Sequence, residues 1–128
     1  MHVNDGSSKT IHMIKVLIDN GSKVNFLPYR VFQLMNIIRE NLVSSQALIK
    51  GIRGVPIPME GKIHLPMTLG QTPLARTQYV TFLVVKIPML YNAILGRAVL
   101  YDFEIAISIK YVMIKFITVN GIAIIRGR

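Results

Sequence analysis

The chain has 128 residues, of which 52% are hydrophobic and 16% charged, with no cysteine and a formal net charge of +9. That length suits one domain with a single core, and the apolar fraction excludes a disordered chain and hints at a surface kept for an oligomeric partner. The missing cysteines exclude disulfides, thiolate catalysis and cysteine-ligated zinc, while the positive charge attracts polyanions such as nucleic acid only non-specifically, because the 15 Lys and Arg are spread singly without a run or a helical stripe.

Residues 1–9 read as a polar N-terminal turn with at most a partial strand, and they lack the basic-then-apolar order of a signal peptide. Residues 10–128 read as one domain. Thr10 to Ile18 is the first strand, and Val16-Leu-Ile-Asp-Asn-Gly21 carries it into a glycine turn. Two readings of that turn compete. Asn20-Gly21 fits the two-residue turn of a β-hairpin, since both residues tolerate positive φ. Alternatively, Asp19 is a carboxylate presented by a loop at a strand end, with Gly21 there for backbone clearance.

Next, Val31, Leu34, Met35 and Ile38 fall at helical spacing after Pro28, which predicts a short amphipathic helix. The stretch from Gly51, Ile52, Arg53 and Gly54 through Val55, Pro56 and Ile57 to Glu60-Gly61 is rich in turn residues and reads as a projecting flap. Ile63, Leu65, Met67 and Leu69 alternate with polar positions as in a half-buried strand, and Pro66 suggests a sheet edge. Tyr79 to Val85 is nearly continuous and β-branched, so it belongs in the core. Ala93-Ile-Leu-Gly96 faintly echoes the first glycine turn, and Arg97 to Tyr101 reads as a helical turn. Strands follow at Glu104 to Ile109, Tyr111 to Thr118 and Ile122 to Ile125, the last two joined by a hairpin across Val119-Asn120-Gly121. The plan is all-β. Lys86, Arg97, Lys110 and Lys115 interrupt every candidate membrane segment, so the reading is a soluble, intracellular protein.

Of the six acidic residues, Asp5, Glu40 and Glu60 sit where solvated carboxylates are expected, whereas Asp19 follows an apolar strand and is expected to be partly desolvated. One carboxylate is a poor hydrolase, because acid-base chemistry on an amide needs a proton donor and an acceptor. A homodimer would supply a second Asp19 across a two-fold axis, and two carboxylates so close share one proton, as in aspartic proteases. His2, His12 and His64 lack metal-ligand spacing, no serine sits in a nucleophile elbow, and no phosphate-binding glycine loop is present, so neither a metal nor a cofactor is expected.

The ordered blocks resemble the retropepsin-like aspartic protease domain of plant gypsy-type LTR retrotransposon polyproteins. Val16-Leu-Ile-Asp-Asn-Gly-Ser22 looks like that family's catalytic block. Asn25-Phe-Leu-Pro-Tyr-Arg-Val-Phe32 is similar to the segment leading into its short helix. Gly51 to Gly61 with Ile63-His-Leu-Pro66 resembles its flap and following strand; Val80 to Val85 and Tyr91-Asn-Ala-Ile-Leu-Gly-Arg97 resemble its core strand and Ile-Leu-Gly-Arg block; Met113 to Phe116 and Asn120-Gly-Ile122 resemble its closing hairpin. The resemblance spans about Lys15 to Gly127.

It implies an all-β, retropepsin-like closed barrel with a flap, in which Asp19 is the catalytic carboxylate of each subunit of a homodimer. Asn20, Gly21 and Ser22 would complete the active-site loop, Gly51 to Ile57 would cover an extended polyprotein peptide, and Ile94, Leu95, Gly96 and Arg97 would support the site from a second, related ψ-shaped loop. The sequence departs from the family at Asn20, where a Thr, Ser or Gly is usual, so the hydroxyl that braces paired loops is missing unless Asn20 or Ser22 replaces it. Ala98 and the C-terminal end also depart, and no reverse transcriptase or integrase segment follows, which suggests a remnant of a transposon polyprotein. The competing readings are a catalytically inactive, domesticated or degenerate domain of the same fold that dimerises or binds peptide, and a basic nucleic-acid-binding barrel.

Overall fold

The computed structural model describes residues 1–5, 9–43, 49–50, 56–57 and 59–127. In chain order its elements are β1 (His2–Asn4), β2 (Thr10–His12), β3 (Val16–Ile18), β4 (Asn25–Pro28), α1 (Tyr29–Phe32), a 3-10 turn (Arg39–Asn41), β5 (Ile49–Lys50), β6 (Pro56–Ile57), β7 (Met59–Gln71), β8 (Leu74–Val85), β9 (Ala93–Leu95), α2 (Arg97–Asp102), β10 (Ala106–Ser108), β11 (Met113–Thr118) and β12 (Gly121–Arg126). The fold is all-β. A seven-stranded sheet has the order β2-β1-β7-β8-β4-β9-β3; β10, β11 and β12 form a three-stranded sheet packed on β7 and β8, and β5 pairs with β6.

The long β7–β8 hairpin is the frame. On β7, Leu65, Met67 and Leu69 are buried while His64 is exposed, and on β8 Val80, Phe82 and Val84 are buried while Tyr79 and Thr81 are exposed. This period-two alternation puts one face of the hairpin in the core. That core also takes Leu27 of β4, Phe32 of α1, Val99 of α2, Phe103, and Phe116 of β11. Each is at most 2% exposed. Pro66 is not on an edge strand: β7 lies between β1 and β8. The proline is tolerated because β1 pairs only with Met67 and Thr68, leaving Pro66 without a ladder partner on that side.

Sheet order decides how the two glycine turns relate. β3 and β4 follow one another in sequence, yet β9 lies between them, parallel to β3 and antiparallel to β4. β8 and β9 likewise follow one another, yet β4 lies between them, parallel to β8. Two ψ-shaped units therefore interlock through β4 and β9. Asn20-Gly21 is consequently not a hairpin turn, since the strands on either side of it do not pair. The hairpin at Asn120-Gly121 does form: Gly121 has φ 133° and Thr118 Oγ1 donates to the Gly121 carbonyl (2.7 Å).

Three expectations change. The strand expected over Thr10 to Ile18 is broken into β2 and β3 at Lys15, which takes φ 56°. The helix after Pro28 is a single turn, because the core takes Val31, Phe32 and Met35 while Leu34 and Ile38 stay 57% and 65% exposed. Tertiary packing overrode the helical spacing. Asp5 is not solvated: it is 6% exposed, and its Oδ2 accepts the Asn36 N–H (2.8 Å), fixing the chain just past α1. β1 joins the main sheet between β2 and β7. Among the described residues no helix is long and apolar enough to cross a membrane.

Two outcomes follow. In chemical denaturation, Phe82→Ala should lower stability by about 3 to 5 kcal/mol, while Leu34→Gln and Ile38→Gln should each change it by less than about 0.5 kcal/mol, the reverse of an amphipathic helix buried through those positions. Burial lowers the His2 imidazole below its ordinary value, and His12, with its ring 5.4 Å away, and then the chain's amino group lower it further. Between that lowered value and the ordinary one near 6.5 the folded chain binds fewer protons than the unfolded one, so this contribution is full above about 6.5 and is lost as pH falls through the lowered value. The drop in thermal midpoint between about pH 7.5 and 5.5 should be smaller in His2→Gln than in the wild type.

Candidate active site

β3 ends at Ile18, and Asp19 begins a tight loop. The Ser22 N–H donates to the Asp19 carbonyl (3.1 Å), and the Asp19 Oδ1 accepts the Gly21 N–H (2.9 Å). The carboxylate therefore rests on the backbone of its own loop. It is exposed, not partly desolvated as its place after an apolar strand suggests, because β3 is the outermost strand of the sheet and Asp19 lies just beyond its end.

The loop is held from behind by residues 95 to 97. The Asp19 N–H donates to the Leu95 carbonyl (2.9 Å), and the Arg97 N–H donates to the Ser22 carbonyl (2.9 Å). Between them sits Gly96, where a side chain has no room: a Cβ would lie 2.5 Å from the Val24 carbonyl oxygen and 2.6 Å from that of Ser22. Glycine at 96 is thus a steric requirement of the loop contact. The structure brings Asp19, Asn20, Gly21 and Ser22 together with Leu95, Gly96 and Arg97. Ile94 supports them one step back, in register with Leu17 and Phe26.

The individual roles differ from expectation. Ser22 Oγ donates to the Val24 carbonyl (2.6 Å) and lies 3.3 Å from the Val24 N–H, so it shapes its own turn. Asn20 is exposed, and its side chain makes no hydrogen bond among the described residues. Within one chain neither replaces the missing hydroxyl brace. Arg97 acts through its backbone; its side chain is exposed at the start of α2. Of the expected flap, Pro56 and Ile57 form β6, paired with Lys50 and Ile49, whereas Gly51, Ile52, Arg53, Gly54 and Val55 lie outside the described residues.

Three supporting residues escaped the sequence reading. Asn25, 5% exposed, accepts the Gly96 N–H at Oδ1 (2.7 Å) and donates from Nδ2 to the Thr81 carbonyl (3.1 Å). The signal was available: a polar amide opens an otherwise apolar strand. Arg30 donates to Asn92 Oδ1 (2.8 Å) and to the carbonyls of Tyr91 (3.0 Å) and Met89 (3.3 Å), and Asn92 in turn donates to the Ile14 carbonyl (2.6 Å). This clamp fixes the chain entering β3 and β9 together. Nothing local marks it, since its partners are about sixty positions apart.

Two clefts border the sheet's outer face. One of about 650 Å³ runs past Asn36, Lys62, His64 and Tyr79; one of about 260 Å³ lies behind the loop, between Val24, Thr81 and Val99. Neither includes Asp19. No group of three or more His, Asp or Glu suited to a metal ion occurs among the described residues.

No protein-family model matches the chain, and no curated protein matches it. Among solved structures, it is similar to the crystal structure of the retroviral protease-like domain of Ddi1 from Leishmania major, with a TM-score of 0.54 over 86% of this chain and 82% of that one. At 12% identity that likeness establishes the retropepsin-like fold.

Gly96→Ala should force the 95 to 97 segment away from the Asp19 loop. Because both obstructing atoms are backbone oxygens, the expected loss is about 2 kcal/mol or more in denaturation, with Asp19 and Arg97 amide exchange rising ahead of the β7–β8 core. An unchanged exchange pattern would contradict the tight contact.

Proposed function

We propose that this chain is one subunit of a homodimeric aspartic endopeptidase of retropepsin type, derived from a gypsy-type retrotransposon polyprotein. The observation that carries the reading is the exposed Asp19 carboxylate at the end of the edge strand β3, seated on an Asp-x-Gly loop that the second ψ unit holds in place. A site used by one chain alone would be expected to offer a second acid or base beside it; here the next copy of the chain is the source. Across a two-fold axis, the two Asp19 side chains would hold one proton between them and a water.

The chemistry then follows from that pair. A peptide bound in extended form beneath the β5–β6 pair presents its carbonyl to the water. The unprotonated carboxylate takes a proton as the water oxygen attacks the carbonyl carbon, and the protonated one donates to the carbonyl oxygen, giving a tetrahedral diol. Proton transfer to the amide nitrogen then lets the C–N bond break, yielding an acid and an amine. Closure over the bound peptide would exclude bulk water during these steps.

A second reading, a degenerate domain that dimerises or binds peptide without cleaving it, is favoured by one observation: neither Asn20 nor Ser22 supplies a spare hydroxyl for bracing a partner loop. The two readings separate in one assay. Cleavage of an extended peptide library at mildly acidic pH should rise with protein concentration through the dimerisation range measured by sedimentation, and Asp19→Asn should reduce it by at least about a thousandfold without changing the dimer. A dimer that binds a transition-state peptide isostere yet gives equal rates for the wild type and Asp19→Asn supports the inactive reading.

A further inference from the structure

Asn25 is one of few buried polar side chains among the described residues, and what it touches is specific. Its Oδ1 accepts the Gly96 N–H at 2.7 Å, and its Nδ2 donates to the Thr81 carbonyl at 3.1 Å. The Gly96 N–H belongs to the same peptide group as the Leu95 carbonyl, and that carbonyl accepts the Asp19 N–H at 2.9 Å. A peptide group is planar and rigid, so turning its N–H turns its C=O. One amide side chain therefore sets the orientation of the acceptor that receives Asp19.

We infer that Asn25 is the positioning residue of the Asp19 loop, standing in within each chain for the bracing that position 20 does not supply. The assignment of a catalytic consequence rests on the proposed peptidase reading; the assignment of loop position does not. Three observations favour a dedicated role over generic core packing. The task calls for an acceptor toward Gly96 and a donor toward Thr81 on one short side chain, which a primary amide offers in fixed geometry at any pH. Asn25 opens β4, and β4 is the strand shared by both ψ units, so it can reach from β8 to the end of β9. Lastly, the loop's own polar side chains are engaged within the loop or exposed: Ser22 with Val24, Asp19 with Gly21, and Asn20 in solvent. An apolar residue at 25 would fill the space and leave the Gly96 N–H buried without an acceptor.

The test compares Asn25→Leu and Asn25→Asp with the wild type as full chains. Backbone amide exchange is read at Asp19, Gly96 and Arg97, with Phe82 and Phe116 as core references. In Asn25→Leu the three loop amides should exchange at least about tenfold faster relative to the core amides. If the wild type cleaves peptide, kcat should fall about tenfold to a hundredfold with KM nearly unchanged, since the substrate surface remains and only the reacting group is misplaced. Asn25→Asp is the rescue variant. Protonated at acidic pH, its carboxyl reproduces acceptor and donor; ionised at neutral pH, it faces the Thr81 carbonyl with no proton to give. Loop protection, and kcat where cleavage exists, should recover on acidification in this variant and not in Asn25→Leu. Loop amides that exchange only in step with the core in both variants would overturn the assignment. So would a kcat loss that merely tracks the folded fraction. If the wild type does not cleave, the peptidase reading fails, while the exchange result still decides Asn25. Should Asn25→Leu not fold, the acid-to-neutral comparison within Asn25→Asp decides alone.

Discussion

The Leu95–Gly96 peptide group is the point on which the site depends. Its carbonyl receives the Asp19 N–H and its own N–H is received by Asn25, so a single rigid plane joins the edge strand carrying the carboxylate to β4, two strands in from that edge. Each bond alone is worth only about 1 kcal/mol net. Their joint effect is geometric: three strands, β3, β4 and β9, can meet in one way only, and the glycine permits it because a Cβ would strike two carbonyl oxygens.

That local constraint is backed by clamps at longer range, and they show where part of the positive charge goes. Arg30 is committed to three acceptors around the entry to β9. Arg76 donates to the carbonyls of Asp102 (2.9 Å), Phe103 (3.2 Å) and Ile117 (3.3 Å), tying the end of α2 to β8 and β11, with Glu104 3.8 Å away. Guanidinium groups suit this work because one planar fork can serve several carbonyls at once. Counted by role, these arginines are internal fasteners that hold the second ψ unit and the three-stranded sheet against the hairpin frame. Net charge alone is therefore a poor guide to a polyanion site in this chain.

Much of the fold was legible in the sequence because the strands obey simple alternation and are punctuated by Gly and Asn. The β-branched run of β8, the Asn120-Gly121 hairpin and the short α2 after Gly96 each follow from local residue chemistry. The misreadings share a cause. The Val31 to Ile38 spacing fits a helix, but Asp5 captures the Asn36 N–H from thirty-one positions away and the chain leaves the helix after one turn. Of the two readings open at Asn20-Gly21, the hairpin fails because the strand beside β3 comes from residues 93 to 95. Asn25, Arg30 and Asn92 act only through partners distant in sequence, so their residue types were visible and their roles were not.

These contacts relocate the significance of Asn20. The residue after the aspartate drew attention as a lost hydroxyl, yet none of the hydrogen bonds that hold the loop within the chain comes from the side chain at that position; they come from Leu95, Arg97, Gly21 and Ser22 backbone groups, backed by Asn25. Replacing a hydroxyl by an amide there leaves the intrachain geometry of Asp19 as it is. What changes is the group displayed at the surface, since Asn20 is exposed. The cost of this departure therefore falls on how two loops would meet, whereas the ability of each chain to present its carboxylate is secured separately, from behind.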